Sequence, residues 1–316
     1  MNSFKVDKKQ QGTRLDQFLA ASLKASRKKA KQLIDEGRVF IGSKKIIIAS
    51  WELQAGDKVD VVEAGEASVP RRSRYLKIYH EDPDLLVVEK PPGVACERTA
   101  QTLSSTLVDD INDYLRRAHP TLEYPYLGLM HRLDRETSGV MVYTLSKRAN
   151  ALAQQFKGHR VGRKYLALVE GKVPRHEGVI EKAIVKDWES GGRRMTALSG
   201  GPPSPAARAR TRYQVLERYP EATLVEAELQ TGRTHQVRVH FAAIGHPVVG
   251  DRTYGRGGAQ RQALHASYLE FRHPVTGKRM LFRSKPPKDF QKLMEKFRAA
   301  SVGLQFRRRG KSRNRS

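Results

Sequence analysis

Between Glu63 and Arg74 the sequence loses all periodicity. Glu63-Ala64-Gly65-Glu66-Ala67-Ser68-Val69-Pro70, then Arg71-Arg72-Ser73-Arg74, have little bulk, the composition of a linker. A break there constrains the fold more than any single motif does, because each side must then bury its own core. The chain has 316 residues, enough for two domains. The expected division is a small α/β domain at 1–62, the linker at 63–74, a large domain at 75–298 and a basic, disordered tail at 299–316. The two domains are expected to move relative to each other.

In the first segment Leu15, Phe18, Leu19 and Leu23 follow helical spacing. A second helix is predicted from Arg27 to Glu36, with Ser26 as N-cap and Gly37 as its stop. Short strands follow at Val39–Ile41 and Lys45–Ile48 around a Gly42-Ser43 turn, with a last strand at Lys58–Val62. The second helix is basic, and such charge runs are usually solvated faces. The order of elements adds something. RLDQFLA, SRKKAKQLIDEGRVFIGSKK and LQAGDKV together resemble the S-four-type RNA-binding domain. The resemblance implies that the basic helix and the turn after it face RNA. The RNA-binding residues would then be Arg27, Lys28, Lys31 and Arg38, with Lys44 and Lys45 close by. Ile41-Gly42-Ser43-Lys44 departs from the Val-Asn-Gly of many members, but Gly-Ser turns readily.

In the large segment, strands are predicted at Leu76–Tyr79 and Leu85–Val88, closed by Lys90-Pro91-Pro92-Gly93. A helix follows from Ser104 to Ala118 on a Leu107, Ile111, Leu115 stripe, and another from Lys147 to Phe156. Between them lies His131-Arg132-Leu133-Asp134-Arg135-Glu136-Thr137-Ser138-Gly139, then Val140-Met141-Val142: a tight loop entering a buried strand. Strands are expected at Arg163–Val169, Arg210–Leu216 and Ala222–Leu229, with Glu189–Arg208 as an exposed loop. Thr231-Gly232-Arg233-Thr234-His235-Gln236-Val237-Arg238-Val239-His240 reads as a glycine turn, with Thr234 as N-cap of a helix through Val237 and Phe241. His235 and His240, five apart, do not share a helix face as a metal pair would.

HRLDRETSG closely resembles the signature of the RluA-type pseudouridine synthases, and TGRTHQVRVH their TGRTHQIRVH motif. Lys90-Pro91-Pro92-Gly93 matches the family's first motif, although Val94-Ala95-Cys96-Glu97-Arg98 departs from its common continuation. The resemblance implies that Asp134 is the catalytic residue and attacks the target nucleoside. It implies that Arg233 pairs with Asp134, that Tyr165 lines the uracil pocket, and that Arg132 fills the gap left by a flipped base. A strand tyrosine is otherwise ordinary core. His131 reads as structural.

The residues themselves narrow the chemistry. The motifs offer Asp134 and many arginines, with Glu136 two residues on expected to point elsewhere, where a glycosidase normally needs two carboxylates. There is no Gly-x-Ser-x-Gly elbow, Walker loop or HExxH. The net charge of +26 asks for a polyanion partner. No run of about 20 apolar residues could span a bilayer, and the first residues are too polar for a signal peptide. One cysteine, Cys96, excludes an internal disulfide and fits the cytoplasm. The expectation is a monomeric pseudouridine synthase without cofactor or metal, acting on structured RNA, foremost large-subunit ribosomal RNA. Transfer RNA as substrate, and a non-catalytic ribosome-assembly factor, are the alternatives. The expected fold is α+β: a mixed, mainly antiparallel sheet with flanking helices, plus the small N-terminal α/β RNA-binding domain. The basic tail is as readily a nucleic-acid arm as a solvated end.

Overall fold

Leu85-Leu86-Val87-Val88 and Val140-Met141-Val142-Tyr143 are apolar at every position, which a strand can be only if both faces of its sheet are covered. The computed structural model shows this. It describes residues 2–35, 37–42, 44–46, 48–61, 76–98, 105–120, 126–188, 194–198, 204 and 207–313, without the side chains at 44, 45 and 302–313. The chain divides into two compact units, Met1–Arg74 with Glu97–Ser104 and Tyr75–Cys96 with Ser105–Ser316. The expected linker, 63–74, lies outside the described residues.

The first unit has β1 (Asn2–Lys5), α1 (Leu15–Ser22), α2 (Arg27–Asp35), β2 (Val39–Ile41), β3 (Lys44–Ile46) and β4 (Lys58–Val61). Its antiparallel sheet has the order β1-β4-β2-β3. Strand β1 is an addition to the sequence expectation: Asn2-Ser3-Phe4-Lys5 is too polar to announce itself and is recruited by pairing with β4. Ala30, Leu33 and Ile34 turn one face of α2 into the core, with Leu15, Phe18, Leu19 and Val39. The Ser26 hydroxyl accepts from the Lys29 N–H at 3.2 Å, and Gly37 takes φ 68°, as the cap and stop require.

The second unit runs β5 (Ile78–Glu81), β6 (Leu85–Lys90), α3 (Leu107–Ala118), β7 (Gly128–Leu129), β8 (Ser138–Thr144), α4 (Leu152–Lys157), β9 (Gly162–Glu170), β10 (Glu177–Glu181), β11 (Ile184–Asp187), β12 (Arg194–Ala197), β13 (Arg210–Arg218), β14 (Ala222–Leu229), α5 (Gln236–Ala243), β15 (Leu264–Arg272), β16 (Arg279–Arg283) and α6 (Lys288–Arg313). Ten strands form one sheet, ordered β10-β13-β14-β9-β15-β8-β6-β5, with β16 on β15 and β7 on β8. Every pair is antiparallel except β15 with β8, so the sheet is mixed and mainly antiparallel, flanked by helices. Leu86, Val88, Met141 and Tyr143 enter one core. Their neighbours Leu85, Val87, Val140 and Val142 enter another.

The expected exposed loop at 189–208 contains a strand instead: Arg194–Ala197 pairs with Ile184–Asp187 as a hairpin, because Met195 and Ala197 have a small core to pack on. The last helix runs to Arg313, past Arg298, where a disordered tail was expected. Phe290, Leu293, Met294 and Phe297 anchor its first turns on the core.

Candidate active site

The loop that carries Asp134 is fixed from three directions. The Thr137 N–H donates to the Asp134 carbonyl at 3.0 Å, closing the turn into β8. Gly139 then takes φ 132°, and a Cβ there would meet the Ala266 carbonyl oxygen at 2.2 Å, so only glycine lets β8 lie parallel to β15. Below the loop, the fully buried Lys90 gives its three N–H bonds to the carbonyls of Pro91, Val94 and Arg135 at 2.9, 2.7 and 2.8 Å. Burial pushes its ammonium down to about 8. The Lys-Pro-Pro-Gly turn is thus stapled to the signature loop. From the side, Arg261 donates to the Glu136 carbonyl at 2.9 Å while Asp289 holds its Nε at 2.6 Å.

The guanidinium on Asp134 belongs to Arg238, not Arg233. Arg238 Nη1 donates to Asp134 Oδ2 at 2.9 Å. Its Nε and Nη2 grip Asp251 at 2.6 and 2.9 Å. Asp251 is fully buried and also accepts from the N–H groups of Thr253 and Tyr254 at 2.9 and 3.1 Å. Burial opposes charge on Arg238, but the bonds from Asp251 and the charge of Asp134 outweigh it and raise its pKa. Asp134 Oδ2 receives a further, long contact from Gln262 Nε2 at 3.4 Å. Its other oxygen, Oδ1, has no hydrogen bond among the described residues; His235 Nε2 lies 3.7 Å from it. The carboxylate is 23 % exposed, so one oxygen is held and the other presented.

Arg233 lies elsewhere because it precedes the helix. Its Nε donates to the Arg208 carbonyl at 3.2 Å. Helix α5 is buried from Gln236 to Phe241 and carries Arg238 onto Asp251 and Asp134, whereas Arg233 stays in the turn before it. Thr234 is not the N-cap. His235 occupies that position in the left-handed region, φ 57°, and the Gln236 amide oxygen accepts from the Arg233 N–H and the Thr231 hydroxyl at 2.9 and 2.8 Å. His240 is neutral: burial pushes it down to about 4, and it bonds Thr211 at 2.9 Å. His131 is structural too. Burial and the charge of Arg163 push it down to about 3, and its Nε2 accepts from the Val142 N–H at 3.2 Å.

Tyr165 is central in the sheet, opposite Ala227 on β14 and Ala266 on β15. It is 8 % exposed, and burial pushes its hydroxyl up to about 12, with Arg163 pulling down and the charge of Asp134 pushing up. The hydroxyl has no hydrogen-bond partner among the described residues. Arg163, two residues before on the same face of β9, is buried without a carboxylate partner among the described residues. Its Nη2 reaches the Thr231 carbonyl at 3.2 Å, its Nε has no partner, and Gly232 packs against it. A buried unpaired cation was not expected from sequence; a strand arginine next to lysine reads as surface. Arg132 is exposed at the edge of the signature loop.

In the first unit Arg27, Lys28 and Lys31 lie on the exposed face of α2, and Arg38 is half-buried after it. Arg27 also donates to the buried Asp16 at 2.8 Å, beside Arg14 at 3.1 Å. Burial would raise the Asp16 carboxyl, but the two arginines bring it down to about 2. The side chains of Lys44 and Lys45 lie outside the described residues. Among the described residues Asp82, Asp84 and His273 could hold a metal ion. Their oxygens already accept elsewhere: Asp84 from both arms of Arg148 at 2.7 and 2.8 Å, Asp82 from two backbone N–H groups at 2.8 Å.

Comparison with known proteins gives the same address. The RNA pseudouridylate synthase family matches residues 84–243, and the S4 domain matches 13–59. A Bacillus subtilis protein described as an uncharacterized RNA pseudouridine synthase is 35% identical over 300 residues, 93% of this chain and 97% of its own. The ribosomal large subunit pseudouridine synthase D of Nitrosomonas europaea is 34% identical, covering 91% of this chain and 85% of its own. The solved structure of human RNA pseudouridylate synthase domain containing 1 is 32% identical, with a TM-score of 0.56 over 69% of this chain and 86% of that one.

Proposed function

The chain belongs to the RNA pseudouridylate synthase family, and on that premise we propose that it converts uridines of large-subunit ribosomal RNA to pseudouridine with Asp134 as its catalytic group. The observation that carries the reading is the division of bonds around Asp134: one oxygen is tied to Arg238 and the other is open. The bond from Arg238 to Oδ2 fixes the orientation of the carboxylate and leaves Oδ1 to act as the nucleophile. The carboxylate attacks the target nucleoside and the N1–C1′ bond breaks. The uracil turns, C5 bonds to C1′ as the bond to Asp134 breaks and frees the carboxylate, the proton on C5 leaves and N1 gains one. Product and substrate have the same atoms and oxidation state, so the balance calls for no oxidant or co-reactant.

The target base must leave its stack to reach Asp134, at a cost of about a few kcal/mol. Arg132, exposed two residues earlier, takes the place of the flipped base; its planar guanidinium can stack there or bind phosphate. Tyr165 forms the wall against the uracil, and its neutral hydroxyl relays the C5 proton, accepting it as it gives up its own to solvent. Arg27, Lys28, Lys31 and Arg38 bind RNA phosphates. Arg233, near the mouth of the same motif, is a phosphate contact rather than the partner of Asp134. The protein works as a monomer in a reducing cytoplasm, which suits its single, buried Cys96. No helix among the described residues is long and apolar enough to cross a membrane.

The test is to map pseudouridines in ribosomal and transfer RNA from cells with the protein, without it, and with Asp134→Asn. The expected result is the loss of discrete large-subunit sites in both deficient strains. Loss confined to transfer RNA overturns the substrate, and full modification by Asp134→Asn overturns the role of Asp134.

A further inference from the structure

Among the described residues Trp188 is the most exposed large apolar side chain, at 74 % against 49 % for Leu216. Single exposed apolar residues need no explanation in general, but the surroundings of this one are specific. Trp188 directly follows β11, at the end of the hairpin where Asp187 pairs with Arg194. The Lys186 ammonium lies 5.3 Å from the centre of its ring, and Arg194 is exposed on the facing strand. Arg194 turns its guanidinium to the Thr253 carbonyl and the Tyr254 ring, so the cation beside the exposed indole is Lys186.

The hairpin is not a loose flap. Ile184 is buried with Ala209 and with Val239 of α5, and Met195, Ala197 and Tyr254 pack on that small core. The Met195 N–H donates to Tyr254 Oη at 2.9 Å, and Arg194 Nη2 to the Thr253 carbonyl at 2.7 Å. Tyr254 Oη meets His235 Nδ1 at 2.8 Å, and His235 Nε2 is 3.7 Å from Asp134 Oδ1. The Tyr254 ring also lies 5.0 Å from the Arg238 guanidinium. The hairpin thus rides on the helix that holds Asp134, and its inner strand is linked to Asp134 through two side chains.

We propose that Trp188 is a binding site for one unpaired nucleobase of the RNA substrate, separate from the uridine pocket. The proposal rests on the reading of the chain as an enzyme on RNA. A protein partner would seat a tryptophan in a ring of apolar neighbours that exclude water. Here the neighbour is the Lys186 ammonium, which suits a sugar–phosphate backbone running past a stacked base. Every base has a π face, so the site reads an unpaired base without reading its identity. Because the hairpin is anchored on α5, a base held on Trp188 fixes the RNA relative to Asp134.

The test uses the full chain and follows tryptophan emission during titration with single-stranded oligouridylate and, separately, with a fully paired RNA duplex of equal length. Subtracting the signal of Trp188→Phe removes the contribution of Trp51. The single strand should quench the Trp188 signal and the duplex should not. Trp188→Ala should weaken single-strand binding by about 5- to 100-fold, and Trp188→Phe by less, since a smaller ring still stacks. At saturating RNA, turnover by Trp188→Ala should stay near wild type while KM rises. Wild-type binding by Trp188→Ala, or equal quenching by duplex and single strand, overturns the site. A chain that makes no pseudouridine on any RNA overturns the functional reading and leaves the quenching result standing.

Discussion

Each unit of this protein contains a buried or half-buried aspartate among arginines, and the two are used in opposite ways. Asp16 is 5 % exposed and accepts three hydrogen bonds, from Arg14 Nε and Nη2 and from Arg27 Nη2. Both arginines point their charge at it, and both of its oxygens are taken. Asp134 has a single short bond, because two of the donors of Arg238 are given to Asp251. A carboxylate saturated by guanidinium is a structural pin. One that is held by a single N–H and open at its other oxygen can react. The presence of arginine beside aspartate says little; how the arginine divides its donors is what separates the proposed catalytic aspartate from the structural one.

Four experiments would break or sharpen that contrast. The largest effect is expected for Asp134→Asn, which keeps the shape and removes the anion: turnover falls by more than about 10⁴-fold while RNA binding is retained. Asp16→Asn, by contrast, leaves kcat near wild type. Next is Tyr165→Phe, with a loss of about 10² to 10⁴-fold if its hydroxyl takes the C5 proton. Its melting temperature stays close to wild type, because the hydroxyl has no partner to lose. A fully active Phe variant ends the general-base role and leaves stacking.

Asp251→Asn comes third. It leaves Arg238 in place but weakens the grip that aims Nη1, so kcat drops by about 10²-fold with KM little changed. Arg238→Lys, which cannot serve both aspartates with a planar fork, behaves similarly. Arg233→Lys should remain within about 2-fold of wild type in kcat. If Arg233→Lys is the slower of the two arginine variants, the pairing with Arg238 is wrong in the working enzyme.

The smallest effect concerns acid stability of the first unit. The Asp16 carboxyl is lowered from 3.8 to about 2. A depressed folded-state pKa means that its contribution is complete above pH 4, and is lost as the pH falls from about 4 towards 2. With partly exposed arginines the contribution is on the order of 1 kcal/mol. In urea melts of the wild type and Asp16→Asn, the stability difference should shrink across that window. A difference that grows on acidification would contradict the pin.

Much of this was legible in the sequence, and the gaps have physical causes. Helix α2 was readable from Ala30, Leu33 and Ile34 at helical spacing with Ser26 and Gly37 at its ends. Strands β6 and β8 were readable because burial on two faces leaves unbroken apolar runs. Asp134 stood out as the proposed catalytic group because its whole loop is a motif. Its true partner was not: Arg233 and Arg238 share one motif, and only burial of α5 separates them. Lys90 looked like part of a turn, since no spacing announces three carbonyls converging on an ammonium. Gln262 approaches Asp134 from 128 residues away and Asp251 approaches Arg238 from 13 residues away, and no spacing marks either contact.

The short parallel pairing of β8 with β15 decides when the protein can begin to work. Ser138 and His265 are register partners, and their side chains meet at 2.9 Å although 127 residues separate them. Closing a loop of that length costs entropy before any contact repays it. The first unit can form from contacts inside its own short stretch while the ribosome is still making the rest. Asp134 emerges soon afterwards, yet the strand that seats its loop and the glutamine that touches its oxygen are made near the end of synthesis. A nascent chain would therefore hold RNA with a finished first unit long before it could modify any, and a chain cut short of β15 would be left a binder.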